Sequence, residues 1–215
     1  MKLFTRTRIT RLWLALFLAC LSIGTVSAVS YAESHVVGDH YGGGVVFYIL
    51  QPGDPGYVEH QQHGFIAATA DATVEGAGVV AASGGLRWSA GQEEKANAKD
   101  YAYRQVSNTS IALGQGSANT KKILAKFPAA TYPTTAAAVT ASYRGGGYKD
   151  WYLPSKDELN KLYLRKGVVG DFADYDYWTS SENKDVNAWV QLFQNGYQFL
   201  DNKMDADRVR PVRSF

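Results

Sequence analysis

The last third of the chain is one ordered succession of local signals, and it leaves few folds open. Residues 145–163 read GGGYKDWYLPSKDELNKLY, 177–182 read YWTSSE, 187–199 read NAWVQLFQNGYQF, and 208–215 read RVRPVRSF. Ser155 stands three residues before Glu158, the capping-box spacing that starts a helix. Asp157 and Glu158 fall in the first turn, and Arg165 and Lys166 are expected in the last, as the helix dipole favours. Leu159, Leu162 and Tyr163 form its apolar stripe, and Gly167 is expected to end it. Apolar runs at 188–193 and 197–200 then flank Gln194-Asn195-Gly196, and Asn-Gly is the strongest short hairpin signal. The final strand, expected over 209–215, contains Pro211, which places it at a sheet edge or at a bulge. Helix, hairpin and terminal strand together predict a compact α+β domain with short antiparallel strands, a few helices and long irregular loops.

The earlier chain is less regular. Residues 45–50 (VVFYIL) form an apolar, β-branched and aromatic run between Gly42-Gly43-Gly44 and Pro52-Gly53, which predicts a buried strand. Residues 65–69 are a second strand candidate, with 54–64 as a long hairpin loop. Residues 70–118 are rich in Gly, Ala, Ser and Asn; irregular structure is expected there, with Trp88 as an isolated anchor and a short helix near 93–98. Two helices are expected further on. Residues 119–127 carry Ile123, Leu124 and Phe127 at helical spacing before Pro128. Residues 134–143 are alanine-rich and follow Pro133.

The N-terminus has the three parts of a secretory signal. Lys2, Arg6, Arg8 and Arg11 precede an uncharged run over 12–32, which ends in the small-x-small exits Val26-Ser27-Ala28 and Ser30-Tyr31-Ala32. An uncleaved membrane anchor is the alternative, because the run is nearly long enough to span a bilayer; lipidation at Cys20 is a third reading. A signal peptide over 1–32 leaves residues 33–215, about the size of one domain, with no membrane span. The basic surplus leaves with it. Four of the 22 Lys and Arg lie in that head, so 18 remain against 20 Asp and Glu, a net charge of −2. No global charge then favours nucleic acid, and an anion site would have to be a local patch. Cys20 is the single cysteine, so the exported domain is disulfide-free and has no thiol for catalysis or for a zinc site.

The segments YGGGVVFYI (41–49), HGFIAA (63–68), DWYLPSKDELNKLY, YWTSSE, AWVQLF-NG and VRPVRSF occur in that order. In this the chain resembles the C-terminal domain family of the Legionella collagen-like adhesin, over roughly residues 38–215. The resemblance implies a C-type lectin-like fold, an exported protein of the extracellular space, cell surface or periplasm, a homotrimer, and recognition of sulfated glycans. The collagen-like stalk is absent, as are the calcium–sugar triplets of C-type lectins, of which Glu182-Asn183 is only a fragment. The catalytic cysteines of the related formylglycine-generating enzymes are missing too.

The expected function is therefore an adhesin-like binding module for a glycan or another surface polymer, with no catalysis and no cofactor. A self-associating envelope domain without a ligand is the alternative. The best local basic patches are Lys121, Lys122 and Lys126 on one expected helix, and Lys161, Arg165 and Lys166 on the other. Each also suits an ordinary solvated helix face. Trp151, Trp178 and Trp189 could form a sugar-stacking shelf, but large aromatics more often fill a core. Arg208, Arg210 and Arg213 could clamp sulfate or brace internal carboxylates such as Asp157 or Glu158. Asp201, Asn202, Asp205 and Asp207 crowd one turn without a calcium-loop spacing. His60 and His63 lack the further ligands that zinc needs, so no metal is expected.

Overall fold

A computed structural model describes residues 34–74, 84–89, 105–184 and 186–215. The chain divides into two units, Met1–Glu33 and Ser34–Phe215, and every described residue belongs to the second. The signal segment, Cys20 and the helix expected near 93–98 lie outside the described residues.

The elements are β1 (His40–Tyr41), β2 (Gly44–Ile49), β3 (Gly64–Ala67), β4 (Leu86–Arg87), α1 (Gly116–Lys126), α2 (Ala136–Ser142), a 3-10 turn (Gly145–Gly147), α3 (Lys156–Tyr163), α4 (Lys166–Val169), β5 (Asp176–Glu182), β6 (Asn187–Leu192), β7 (Gln198–Asn202), β8 (Ala206–Asp207) and β9 (Val212–Ser214). Mixed helices and antiparallel strands make this an α+β fold. The strands form three sheets, in the orders β1-β2-β3-β9, β4-β8 and β5-β6-β7.

β2 is apolar throughout because both of its faces are covered. Val45 and Phe47 enter one core cluster, and Val46 enters another with Ile66, Ala68 and Trp151. A bulge between Val46 and Tyr48 shifts the register against β3. One extra residue inverts the alternation beyond it, so Tyr48 joins the side of Phe47 and Ile49 the side of Val46. β9 closes this sheet at its edge, pairing Val212, Arg213 and Ser214 with β3. The ladder is shorter than the 209–215 expected, because Pro211 has no N–H to contribute; its carbonyl still accepts from Ala68 N at 2.9 Å.

α3 begins as the sequence dictates. Ser155 Oγ accepts from Glu158 N at 3.3 Å, and Glu158 Oε2 accepts from Ser155 N at 2.8 Å. Its end differs from expectation. The helix stops at Tyr163, and Gly167 lies inside α4 rather than terminating α3. Gly170, at φ +79°, follows α4, and a left-handed residue at that point is favourable only for glycine. Arg165 is thus the N-cap of α4, not a last-turn residue of α3. The Asn195-Gly196 turn joins β6 to β7, with Gly196 at φ +84°.

The main core gathers Trp88, Trp178, Ile123, Leu153 and Val190 between α1, α2 and the β5-β6-β7 sheet. Trp88, the expected anchor, is fully buried and donates its Nε1–H to Thr179 O at 2.7 Å. Trp178 donates to Leu86 O at 2.7 Å, so the two indoles pin the short β4 segment to β5. Trp151 is buried as well. Trp189 departs from the core expectation: it points to the other face of β6, is only partly buried, and carries Lys156 Nζ 4.1 Å from its ring centroid.

A candidate polyanion-binding surface

α1 starts three residues earlier than its apolar spacing suggested, at Gly116. Its N-terminus is held by a side chain distant in sequence. Glu158 Oε1 accepts from Gly116 N at 3.3 Å. A Cβ on Gly116 would lie 2.2 Å from Glu158 Oε2 and 2.9 Å from Leu153 O, so glycine alone permits this approach. Burial pushes Glu158 up to about 7, against backbone N–H donors from Ser155, Gly116 and Gly114 that pull it down. One face of α1 is locked inward. Thr120 Oγ1 donates to Gly116 O at 2.8 Å and accepts from Leu153 N at 3.0 Å. Asn119 Nδ2 donates to Ser110 O at 2.7 Å, and Ile123 is fully buried.

With that face fixed, Ala118, Lys121, Lys122, Ala125 and Lys126 are all exposed. The spacing i, i+3, i+4, i+7, i+8 makes them one stripe. α1 carries no Asp or Glu. Lys122 donates its Nζ to Asn108 O. Among the described residues, Lys121 and Lys126 have no hydrogen-bond or ion-pair partner, and they stand beside the small side chains of Ala118 and Ala125.

The second patch is less available. Lys161 Nζ lies 4.4 Å from the Tyr48 ring centroid. Lys166 Nζ donates to Phe193 O and stands 5.0 Å from the Tyr163 centroid. Both are half-buried, and only Arg165 of this group is fully exposed. Packing thus uses two of these three cations as structural contacts.

The C-terminal arginines also serve the fold, though not with the acids expected. Asp71 receives Arg210 Nε at 2.8 Å and Arg208 Nη1 at 3.1 Å, and accepts Tyr177 OH at 2.9 Å. Arg213 makes a two-pronged pair with Asp150, at 2.9 and 2.8 Å, and these hydrogen bonds lower the Asp150 carboxyl. Asp157 and Glu158 take no part. No sequence pattern marked Asp71, which sits in a segment of weak periodicity.

Glu182 is likewise occupied. It pairs with Lys203, and both side chains are buried; its Oε1 also accepts from Val106 N at 2.8 Å. An internal ammonium therefore stands against the carboxylate that a calcium ion would need. In the aspartate turn, burial and then the Asp201 and Asp176 carboxylates push Asp207 up to about 8. Among the described residues, no group of three or more His, Cys, Asp or Glu side chains is placed to hold a metal ion. Nor is any described helix long and apolar enough to cross a membrane.

The fold is thus an α+β domain whose C-terminal arginines brace its interior and whose exposed lysines line one face of α1. The Lcl C-terminal domain model matches residues 78–213. That is more than half of the chain, and the chain belongs to this family, which places it among adhesin-like surface proteins. The match is narrower than the resemblance read from residue 38, yet β2 and β3, outside it, belong to the same sheet as β9, with β3 pairing β2 on one side and β9 on the other. No curated protein matches the chain.

Proposed function

We propose that this chain is an exported, non-catalytic recognition module with a C-type lectin-like architecture, and that it binds an anionic glycan such as a sulfated surface polysaccharide along α1. The observation that carries this reading is the exposed Ala118–Lys121–Lys122–Ala125–Lys126 stripe on a helix without acidic residues. Small alanines let a polyanion approach, and lysine ammonium groups at neighbouring turns supply a local field that the net charge does not. The short antiparallel strands, long loops and peripheral helices support the architectural part of the reading.

The test is retention of the purified protein on a heparin column under a salt gradient. Lys121→Glu with Lys126→Glu elutes at markedly lower salt while the thermal melt stays unchanged, because screened surface charges add little stability. Lys161→Ala has a smaller effect on retention, since that cation already rests on Tyr48. Retention that is unchanged in the double Glu variant refutes the α1 assignment.

A further inference from the structure

Two of the four exposed tyrosines among the described residues, Tyr41 and Tyr148, adjoin glycine-rich turns. Tyr41 is 38% exposed and Tyr148 is 40% exposed. Each ring has one face held by the protein. His35 stacks on Tyr41 at 3.7 Å between centroids and 26° between planes, with Phe215 edge-on at 5.5 Å. The Arg213 guanidinium lies 3.8 Å from the Tyr148 centroid.

The same guanidinium links the two. Asp150 holds it at 2.9 and 2.8 Å, and its Nη1 donates to the carbonyl of Gly42, the residue after Tyr41, at 3.3 Å. The turns next to the two rings are glycine-rich, Gly42–Gly44 after Tyr41 and Gly145–Gly147 before Tyr148. A Cβ on Gly146 would lie 2.4 Å from Gly43 Cα and 3.2 Å from Tyr148 Cδ2. Two glycine turns thus touch backbone to backbone beside the Tyr148 ring, and a Cβ on the neighbouring Gly147 would meet nothing within 4 Å.

We propose that Tyr41 and Tyr148 form a stacking subsite for the rings of a neutral hexose polymer. The C–H face of a pyranose is apolar and flat and suits the face of an aromatic ring, while its hydroxyls need polar partners around the edge. Rings braced from behind lose little freedom on binding, and a glycine floor leaves space for a sugar ring beside the aromatics. Core packing does not account for the exposure, because the buried contacts here belong to Trp151, Ile66 and Val46. The subsite extends the glycan reading above, on another surface and with uncharged chemistry.

The test is affinity electrophoresis of the full chain in gels containing soluble laminarin, a neutral β-linked glucose polymer, alongside the heparin column. Laminarin retards the wild-type protein, and added salt does not change the retardation. Tyr41→Ala and Tyr148→Ala each weaken it about tenfold, the size of one aromatic stacking contact. Tyr148→Phe retains it. Tyr148→Leu, which keeps apolar bulk but removes the flat face, loses it with an unchanged melt. Heparin retention is the same in all four variants. No retardation by laminarin, or wild-type retardation in Tyr148→Leu, overturns the subsite whatever the heparin result. Loss of heparin retention in the α1 variants tests the other surface separately, so each reading fails by its own assay.

Discussion

Glu182, the last residue of β5, and Lys203, just after β7, form a buried ion pair, with the Lys203 ammonium also 4.7 Å from the Trp88 ring centroid. A pair of this kind adds little against an apolar alternative, but removing one partner strands the other charge in the interior. Lys203→Met should therefore cost about 3–5 kcal/mol, and adding Glu182→Gln should recover part of it. Urea unfolding of the two variants measures this. Equal stability of wild type and Lys203→Met would mean that the ammonium is not buried against Glu182.

The junction of α1 and α3 depends on two small residues. Ser155→Ala removes the N-cap acceptor and should lower stability by about 1 kcal/mol. Gly116→Ala should cost about 1–3 kcal/mol, because its methyl would press on Glu158 and on the Leu153 carbonyl. Chemical denaturation curves with an unchanged slope would give both values.

The tryptophans should separate by burial. Trp178→Ala empties a fully buried site and should cost about 3–5 kcal/mol. Trp189→Ala should cost clearly less, since the ring is only partly buried and holds Lys156 by a cation–π contact of about 0.5–1 kcal/mol. Equal losses in thermal melts would contradict the outward placement of Trp189.

Asp207 gives the domain a distinctive pH dependence. Burial and the neighbouring carboxylates push its folded pKa up to about 8, from the 3.8 of a free aspartate. The folded state thus holds a proton that the unfolded state releases. The resulting stability is complete below about pH 4 and is lost as pH rises towards 8. Glu158, pushed up to about 7, contributes with the same sign over a narrower window. The melting temperature should fall between neutral and mildly alkaline pH, and Asp207→Asn should flatten that part of the profile. A wild-type profile already flat from pH 6 to 9 would rule out a protonated Asp207.

Several parts of the fold were legible in the sequence because their causes are local. The Ser155–Glu158 capping box, the Asn195-Gly196 turn and the covered strand at 45–50 each depend on residues a few positions apart. Caps and turns form from neighbours, and hydrophobic runs declare their burial wherever the chain goes. Even there, the helix end is not local: α3 stops at Tyr163, and Gly167 lies inside the separate α4. The candidate site was legible only as residue types. Lys121, Lys122 and Lys126 looked equivalent to Lys161, Arg165 and Lys166 until packing set Lys161 on Tyr48 and Lys166 on the Phe193 carbonyl. Of the two roles the sequence allows the arginines, internal brace or sulfate clamp, packing uses them as braces, but with Asp71 and Asp150 rather than Asp157 or Glu158, because Asp71 lies 137 residues before Arg208. The Tyr41–Tyr148 surface has no local sequence signal, because Arg213 joins two loops that are remote in sequence. The amino-acid sequence by itself determined the helix start, the hairpin and the apolar strands, through short-range hydrogen bonding and patterned burial. Only the tertiary structure decided which charges and rings are consumed by the interior and which are left for solvent, because that depends on partners supplied by distant segments of the chain.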